Sequence, residues 1–338
     1  MTKRKLSPAV VFILLCSLQP QRLAAQESTV YASVLSSKLF VVGAANPNTG
    51  LHYQHPSEDT TWHHIGAARI RAFGVATDES SKGETLYIAS GNGVHKSTDG
   101  GTTWRITTGW EITEVQCVTP DPGNKDIVYI ATAYGVYKST DGCATWEQMN
   151  EGLAFPYFTQ SIIIDRSDSK TLYCAFEEGV YVSHDAAASW KRTGLHVANT
   201  RVVVQHPKDP KTLFVGTEDE GLYVTHNGGK WWSKTEAGID HTTFYAIAFD
   251  PNHPDTIYAG GYVSGVYKSI DGGVNWKRKS NGLEYQTIHS IAVDPANSSR
   301  VYAGTIFGGI YHTENGGETW KSAGLPGAQI YRIVIQPN

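Results

Sequence analysis

Ten side chains stand out as groups that could do chemistry at a surface: Arg71, Trp110, Tyr134, Tyr157, Arg201, Tyr245, Tyr262, Tyr285, Phe307 and Tyr331. Seven are flat aromatic rings and one is an indole, and with two guanidiniums they make the residue mix that dominates protein-recognition hot spots. The same flat apolar faces complement the C–H faces of pyranose rings. Carboxylates at Glu177, Glu178, Glu218, Asp219 and Glu220 add a run of acid. That run reads as a solvated rim rather than a catalytic pair. His63-His64 lacks any HExxH or comparable ligand spacing, and no GxSxG or phosphate-cradling glycine loop occurs. The reading is therefore of a binding surface without a catalytic residue, metal or cofactor.

These residues are what remains after a scaffold is subtracted. Six octapeptides align without gaps, from Ser97-Thr-Asp-Gly-Gly-Thr-Thr-Trp104 to Thr313-Glu-Asn-Gly-Gly-Glu-Thr-Trp320, and a worn seventh ends at Trp62. The seven tryptophans lie 42, 42, 44, 42, 44 and 44 residues apart. Within a unit, Tyr245-Ala-Ile-Ala-Phe-Asp-Pro leads to Thr256-Ile-Tyr-Ala-Gly, then Gly265-Val-Tyr-Lys-Ser, then the octapeptide. Four short β-branched and aromatic runs, separated by Gly, Pro, Asp and Asn, are four strands joined by tight turns. Seven such units predict an all-β chain: a single seven-bladed β-propeller with four-stranded antiparallel blades.

The two ends look complementary. Ile330-Tyr-Arg-Ile-Val-Ile-Gln336 reads as the first strand of a blade, whereas the unit from Leu39 to Ile65 reads as strands two to four. The C-terminal strand is therefore expected to close the ring, with Thr29–Leu35 left unassigned. Ten tyrosines recur in the second and third strands and belong to the core. The ten candidate residues fall instead in or beside the turns between strands two and three and the links between blades, all at one end of the ring. Loops whose composition the fold does not dictate are where function concentrates.

Of the 338 residues, 28 are basic and 32 acidic, giving a formal charge of −4. That is the wrong sign for tracking phosphate backbones, so nucleic acid is not expected as a partner. Lys3-Arg4-Lys5, the apolar run Ala9–Leu18 and the small residues Ala24-Ala25 form a secretory signal peptide pattern over residues 1–25. The apolar run is too short for a span, which needs roughly 20 residues. Residues 26–338 are the expected propeller of a secreted or periplasmic protein. Cys117, Cys143 and Cys174 give no disulfide framework and no zinc spacing; one Cys117–Cys174 bridge between neighbouring repeats is open.

The octapeptides resemble the Asp-box, or BNR repeat. Asp185-Ala-Ala, Asn227 and Asn315 depart from its pattern, implying looser turns there. Sialidases share the box, but Arg69-Ile70-Arg71 lacks the proline of their N-terminal motif and seven units exceed their six blades. Xyloglucan hydrolases need two propellers, and this chain has length for one. The regular series, with Gly-Val-Tyr-Lys-Ser, looks more like photosystem II assembly-factor and sortilin-type propellers. That resemblance implies a non-catalytic propeller binding a protein or peptide, with a glycan-active lectin or hydrolase as the alternative.

Overall fold

In the computed structural model, residues 28–38, 49–56, 61–66, 69–155 and 157–337 are described, and the signal-peptide segment lies outside them. They form seven four-stranded antiparallel sheets. Blade 2 shows the plan: β4 (Ala72–Thr77), β5 (Leu86–Ser90), β6 (Gly93–Ser97) and β7 (Arg105–Ile106) pair as a meander. The innermost strands of blades 3 to 7 are β8 (Val115–Asp121), β12 (Thr159–Asp165), β16 (Thr200–Gln205), β20 (Phe244–Phe249) and β24 (Ile288–Asp294). In blades 2 to 7 the last five residues of each second strand are buried because they pack against both neighbouring blades; Tyr87, Tyr129, Tyr258 and Tyr302 are among the largest side chains there.

Blade 1 combines both chain ends in the order β28-β1-β2-β3: β28 (Ala328–Pro337), β1 (Ser28–Ser37), β2 (Gly50–Gln54) and β3 (His63–His64). The C-terminal strand is thus innermost, as its sequence implied. The second strand is Ser28–Ser37, however, and not a segment beginning at Leu39. The alternating apolar residues Val30, Ala32 and Val34 supply the reason: all are buried against Ile330, Ile333 and Tyr302.

The octapeptides are tight turns between third and fourth strands. Ser97 Oγ donates to Asp99 Oδ1 at 2.8 Å and accepts from Gly101 N at 2.8 Å, while Thr103 N donates to Asp99 Oδ1 at 2.9 Å. Blade 4 keeps this geometry, since Ser189 N donates to Asp185 Oδ1 at 2.9 Å, and so does blade 7, where Thr319 N donates to Asn315 Oδ1 at 3.0 Å. The expected loosening is absent in these two turns, whereas at Asn227 in blade 5 the matching bond, from Trp231 N, lengthens to 3.2 Å. Blade 4 instead holds Ala186 and Ala187 at φ 58° and 72°, a left-handed strain of roughly 1–2 kcal/mol per residue.

The tryptophan ending each octapeptide crosses to the preceding blade. Trp146, Trp190 and Trp320 donate from Nε1 to the carbonyls of Thr107, Met149 and Lys279. Trp232 and Trp276 donate to the hydroxyls of Thr193 and Thr235. Trp62 donates to Ala323 O at 2.7 Å and so spans the seam between blades 7 and 1. Trp104 bonds only within its own turn, to Gly101 O, whereas Trp276 adds a bond to Gly273 O of its turn to the one that crosses the seam.

Hydrogen bonds from Thr103, Thr145 and Ser189 hold the Asp99, Asp141 and Asp185 carboxyls at about 2, and those from Asn275 do the same for Asp271. A carboxyl depressed on folding, from about 3.9, contributes stability that is complete above that value and lost as pH falls through the folded one. The urea midpoint should therefore drop between about pH 4 and pH 2. A chain with all four aspartates changed to Asn, as positions 227 and 315 already are, should show a shallower drop; an unchanged slope would remove these turns from the acid response.

Candidate functional site

Every innermost strand carries a β-bulge near its start. The strand-pairing register skips one residue in each: Phe73, Gln116, Gln160, Arg201, Tyr245, His289 and Tyr331. A bulged residue is surplus to the ladder, which re-aims its side chain without changing which residues face the core. All seven line one central cavity of about 1220 Å³. They form a ring at the end of the channel where links from outer strands enter the inner ones.

The ring is asymmetric. Tyr245 and His289 lie 4.7 Å apart between ring centroids, His289 and Tyr331 4.8 Å, and Tyr331 and Phe73 5.5 Å. A continuous aromatic arc thus runs over blades 6, 7, 1 and 2. Arg71 caps one end, 5.4 Å from the Phe73 ring centroid, and Arg201 stands at the other. Gln116 and Gln160 make the opposite wall an amide surface. Burial, reinforced by the Arg201 charge, holds the His289 imidazole at about 4, so it is neutral at physiological pH. Burial raises the phenols of Tyr245 and Tyr331, against the opposing pull of Arg201 on both and of Arg71 on Tyr331.

Arg201 is ion-paired with Glu218 on the turn between the second and third strands of blade 5, yet its Nε is buried without a partner. Asp219, on the same turn, has φ 73° and accepts from Thr243 Oγ1 at 3.2 Å.

Of the ten candidates, the channel ring and its rim bring together Arg71, Arg201, Tyr245 and Tyr331. Tyr262 is nearby on the blade 6 turn and 60% exposed. Trp110, Tyr134 and Tyr157 lie on loops of blades 2 to 4 and do not line the cavity; Trp110 is 91% exposed and Tyr157 meets Phe155 edge-on at 5.6 Å. Tyr285 and Phe307 brace loops. Tyr285 packs so tightly on Gly308 that a Cβ there would approach its ring to 2.5 Å, and Phe307 sits 4.8 Å from Lys38 Nζ. Sequence reasoning missed Phe73, Gln116, Gln160 and His289. The available signal was a position fixed in the repeat but filled by five residue types over seven units.

The opposite end of the channel is structural. Asp121, Asp165, Asp250 and Asp294 turn inward to accept from backbone N–H groups two residues on, at 2.8–2.9 Å. Among the described residues Cys117, Cys143 and Cys174 are free, so the Cys117–Cys174 bridge is not made. Burial pushes the Cys143 thiol up to about 11 and that of Cys174 further still, which makes both inert packing residues. Among the described residues no three His, Cys, Asp or Glu side chains stand together as metal ligands, and no helix is long and apolar enough to cross a membrane.

A family model described as Sortilin-Vps10, sortilin, neurotensin receptor 3, matches residues 178–263. No curated protein matches the chain. Among solved structures, it is similar to the GH74 enzyme of Niastella koreensis, with TM-score 0.66 and 19% identity, over 86% of this chain and 55% of that one. It is similar to YCF48 from Cyanidioschyzon merolae, with TM-score 0.58 and 14% identity, over 77% and 87%, and a YCF48 has also been solved bound to a D1 peptide. The extracellular domain of a one-component system from B. thetaiotaomicron gives TM-score 0.63 and 16% identity, over 86% and 40%. The chain thus spans about half of that hydrolase and two fifths of that extracellular domain. Hydrolytic and peptide-bound proteins alike share this architecture, and the chain is a seven-bladed propeller in which residues 178–263 match the sortilin model.

Proposed function

We propose that this chain is an exported, non-catalytic propeller that recognises a protein or peptide partner through the face holding the bulge ring. The observation that carries the reading is the aromatic arc Tyr245–His289–Tyr331–Phe73 with a guanidinium at each end. The bulge position takes five residue types over seven blades, as a recognition surface requires, while most of its strand neighbours, Phe244 and Arg332 excepted, are small or aliphatic. Residues 1–25 act as the signal peptide and 26–338 as the mature protein. The likeness to a YCF48 bound to a peptide and to an extracellular domain supports both points.

A pull-down from the native envelope fraction tests this, comparing the unmodified chain with a Tyr245→Ala/Tyr262→Ala variant. Truncating hot-spot aromatics costs about 2–4 kcal/mol, so the partner should be lost while the melting curve holds. Tyr285→Ala should do the reverse, lowering the melting temperature with little effect on capture. Equal recovery by both baits would refute the assignment of this face. The GH74 likeness keeps a glycan in play, because the same arc could stack pyranose rings. Xyloglucan retention by the unmodified chain, with no protein captured, would move the reading to that class.

A further inference from the structure

Resting on the peptide reading, we infer that the channel mouth selects an acidic segment, one that sets a carboxylate beside a flat-faced residue, and fixes its direction. The charge distribution around the ring carries this. Three arginines reach the mouth: Arg71 over Phe73, Arg332 beside Tyr331 on β28, and Arg201 on β16. Arg201 is neutralised by Glu218, whereas Arg71 and Arg332 are exposed and enter no ion pair among the described residues. Uncompensated positive charge is therefore confined to blades 1 and 2.

Most acids of this face occupy the other side; an exception is Glu114, on the link from blade 2 to blade 3, whose Oε1 lies by Gly91 near Phe73. Glu177 and Glu178 lie on the blade 4 turn, with Glu218, Asp219 and Glu220 on the blade 5 turn. In a ring of seven, blades 4 and 5 face blades 1 and 2 across the channel. An anionic group is drawn to the Arg71–Arg332 side and repelled from the far rim, which gives orientation as well as affinity. This local positive mouth belongs to a chain of net charge −4, so bulk attraction of acids is not its origin.

The arc between the poles sets the neighbouring residue. Phe73 and Tyr331, the two rings closest to the free guanidiniums, meet edge to face at 80°. Phe73 is buried and backs the half-buried Tyr331, which offers the apolar face beside the charge, suited to Tyr, Phe or Pro. The buried, partnerless Nε of Arg201 is a second donor at the opposite end of the arc. It suits a backbone carbonyl or a side-chain amide rather than a further carboxylate, which Glu218 would repel.

The test is calorimetric titration of the full chain with a random Glu–Tyr copolymer, a Lys–Tyr copolymer and oligogalacturonate. The Glu–Tyr copolymer should bind, and removing one charge-assisted contact should weaken it about tenfold in each of Arg71→Gln and Arg332→Gln. Both positions are exposed, so melting should not change. Arg105→Gln, on the outermost strand of blade 2, removes the same charge far from the mouth and should leave binding unaltered. Equal loss in R105Q would reduce the effect to general electrostatics and overturn the inference. Equal binding of the Lys–Tyr copolymer, or binding of oligogalacturonate alone, would also overturn it. A captured protein that needs Tyr245 and Tyr262 but ignores R71Q and R332Q would refute the acidic selectivity while leaving the binding function standing.

Discussion

Removing residues 328–338 is expected to abolish cooperative folding. β28 supplies three fully buried side chains, Ala328, Ile330 and Ile333, to a cluster with Val30, Ala32, Val34, Tyr302 and Ile310. Deleting a buried isoleucine side chain alone costs about 2–5 kcal/mol, against total stabilities of about 5–15 kcal/mol for a whole domain. The truncation also strips the backbone pairing of β1 and removes the Ile333 N to Ser290 Oγ bond, 2.8 Å long, that ties blade 1 to blade 7. Circular dichroism during heating should show no sharp transition. A truncated chain that melts like its parent would mean that ring closure contributes nothing to the fold.

The second large effect is expected at the blade seams. Trp276 is 3% exposed, fills the space between blades 5 and 6, and donates from Nε1 to Thr235 Oγ1 and Gly273 O, both at 3.0 Å. Trp276→Ala should destabilise by about 3–5 kcal/mol through lost packing and the cavity left behind. Trp276→Phe keeps most of the volume and leaves Gly273 O without that donor, a cost of about 1–3 kcal/mol. Trp104→Ala is the informative comparison. That indole is only half-buried and bonds within its own turn, so its loss should cost less than that of Trp276. Urea unfolding of the three variants gives the ranking; a Trp104 variant as unstable as the Trp276 one would show that the seam bond is not what distinguishes them.

The repeat made the architecture legible, because seven copies of one strand pattern average out the ambiguity of any single run. Ring closure was legible for a related reason: an unpaired inner strand at one end needed a partial blade at the other. The start of blade 1 was harder to read, since Thr29–Leu35 precedes the first recognisable turn and has no octapeptide to anchor its register. The site was half legible. Arg201, Tyr245 and Tyr331 stood out as residue types foreign to the scaffold, whereas Gln116 and Gln160 look like ordinary strand polars. Their place in the ring depends on a bulge, which hydrophobic alternation does not reveal because the alternation resumes one residue later. Tyr285 and Phe307 show the converse ambiguity: an aromatic in a loop can pack on a glycine or a lysine of its own chain as well as on a ligand.

The bulges carry a consequence for how such a chain can change over time. A residue outside the ladder can be replaced without shifting register, altering the core face or breaking a blade-to-blade bond. Seven such places, one per blade, point at the same small volume. Mutation is least constrained by the stability threshold at Gln116 and Gln160, outside the aromatic arc, and costs more along the arc, where Phe73 is buried and rings pack across blades, so the ring is a seven-place combination that selection resets most easily on its amide wall.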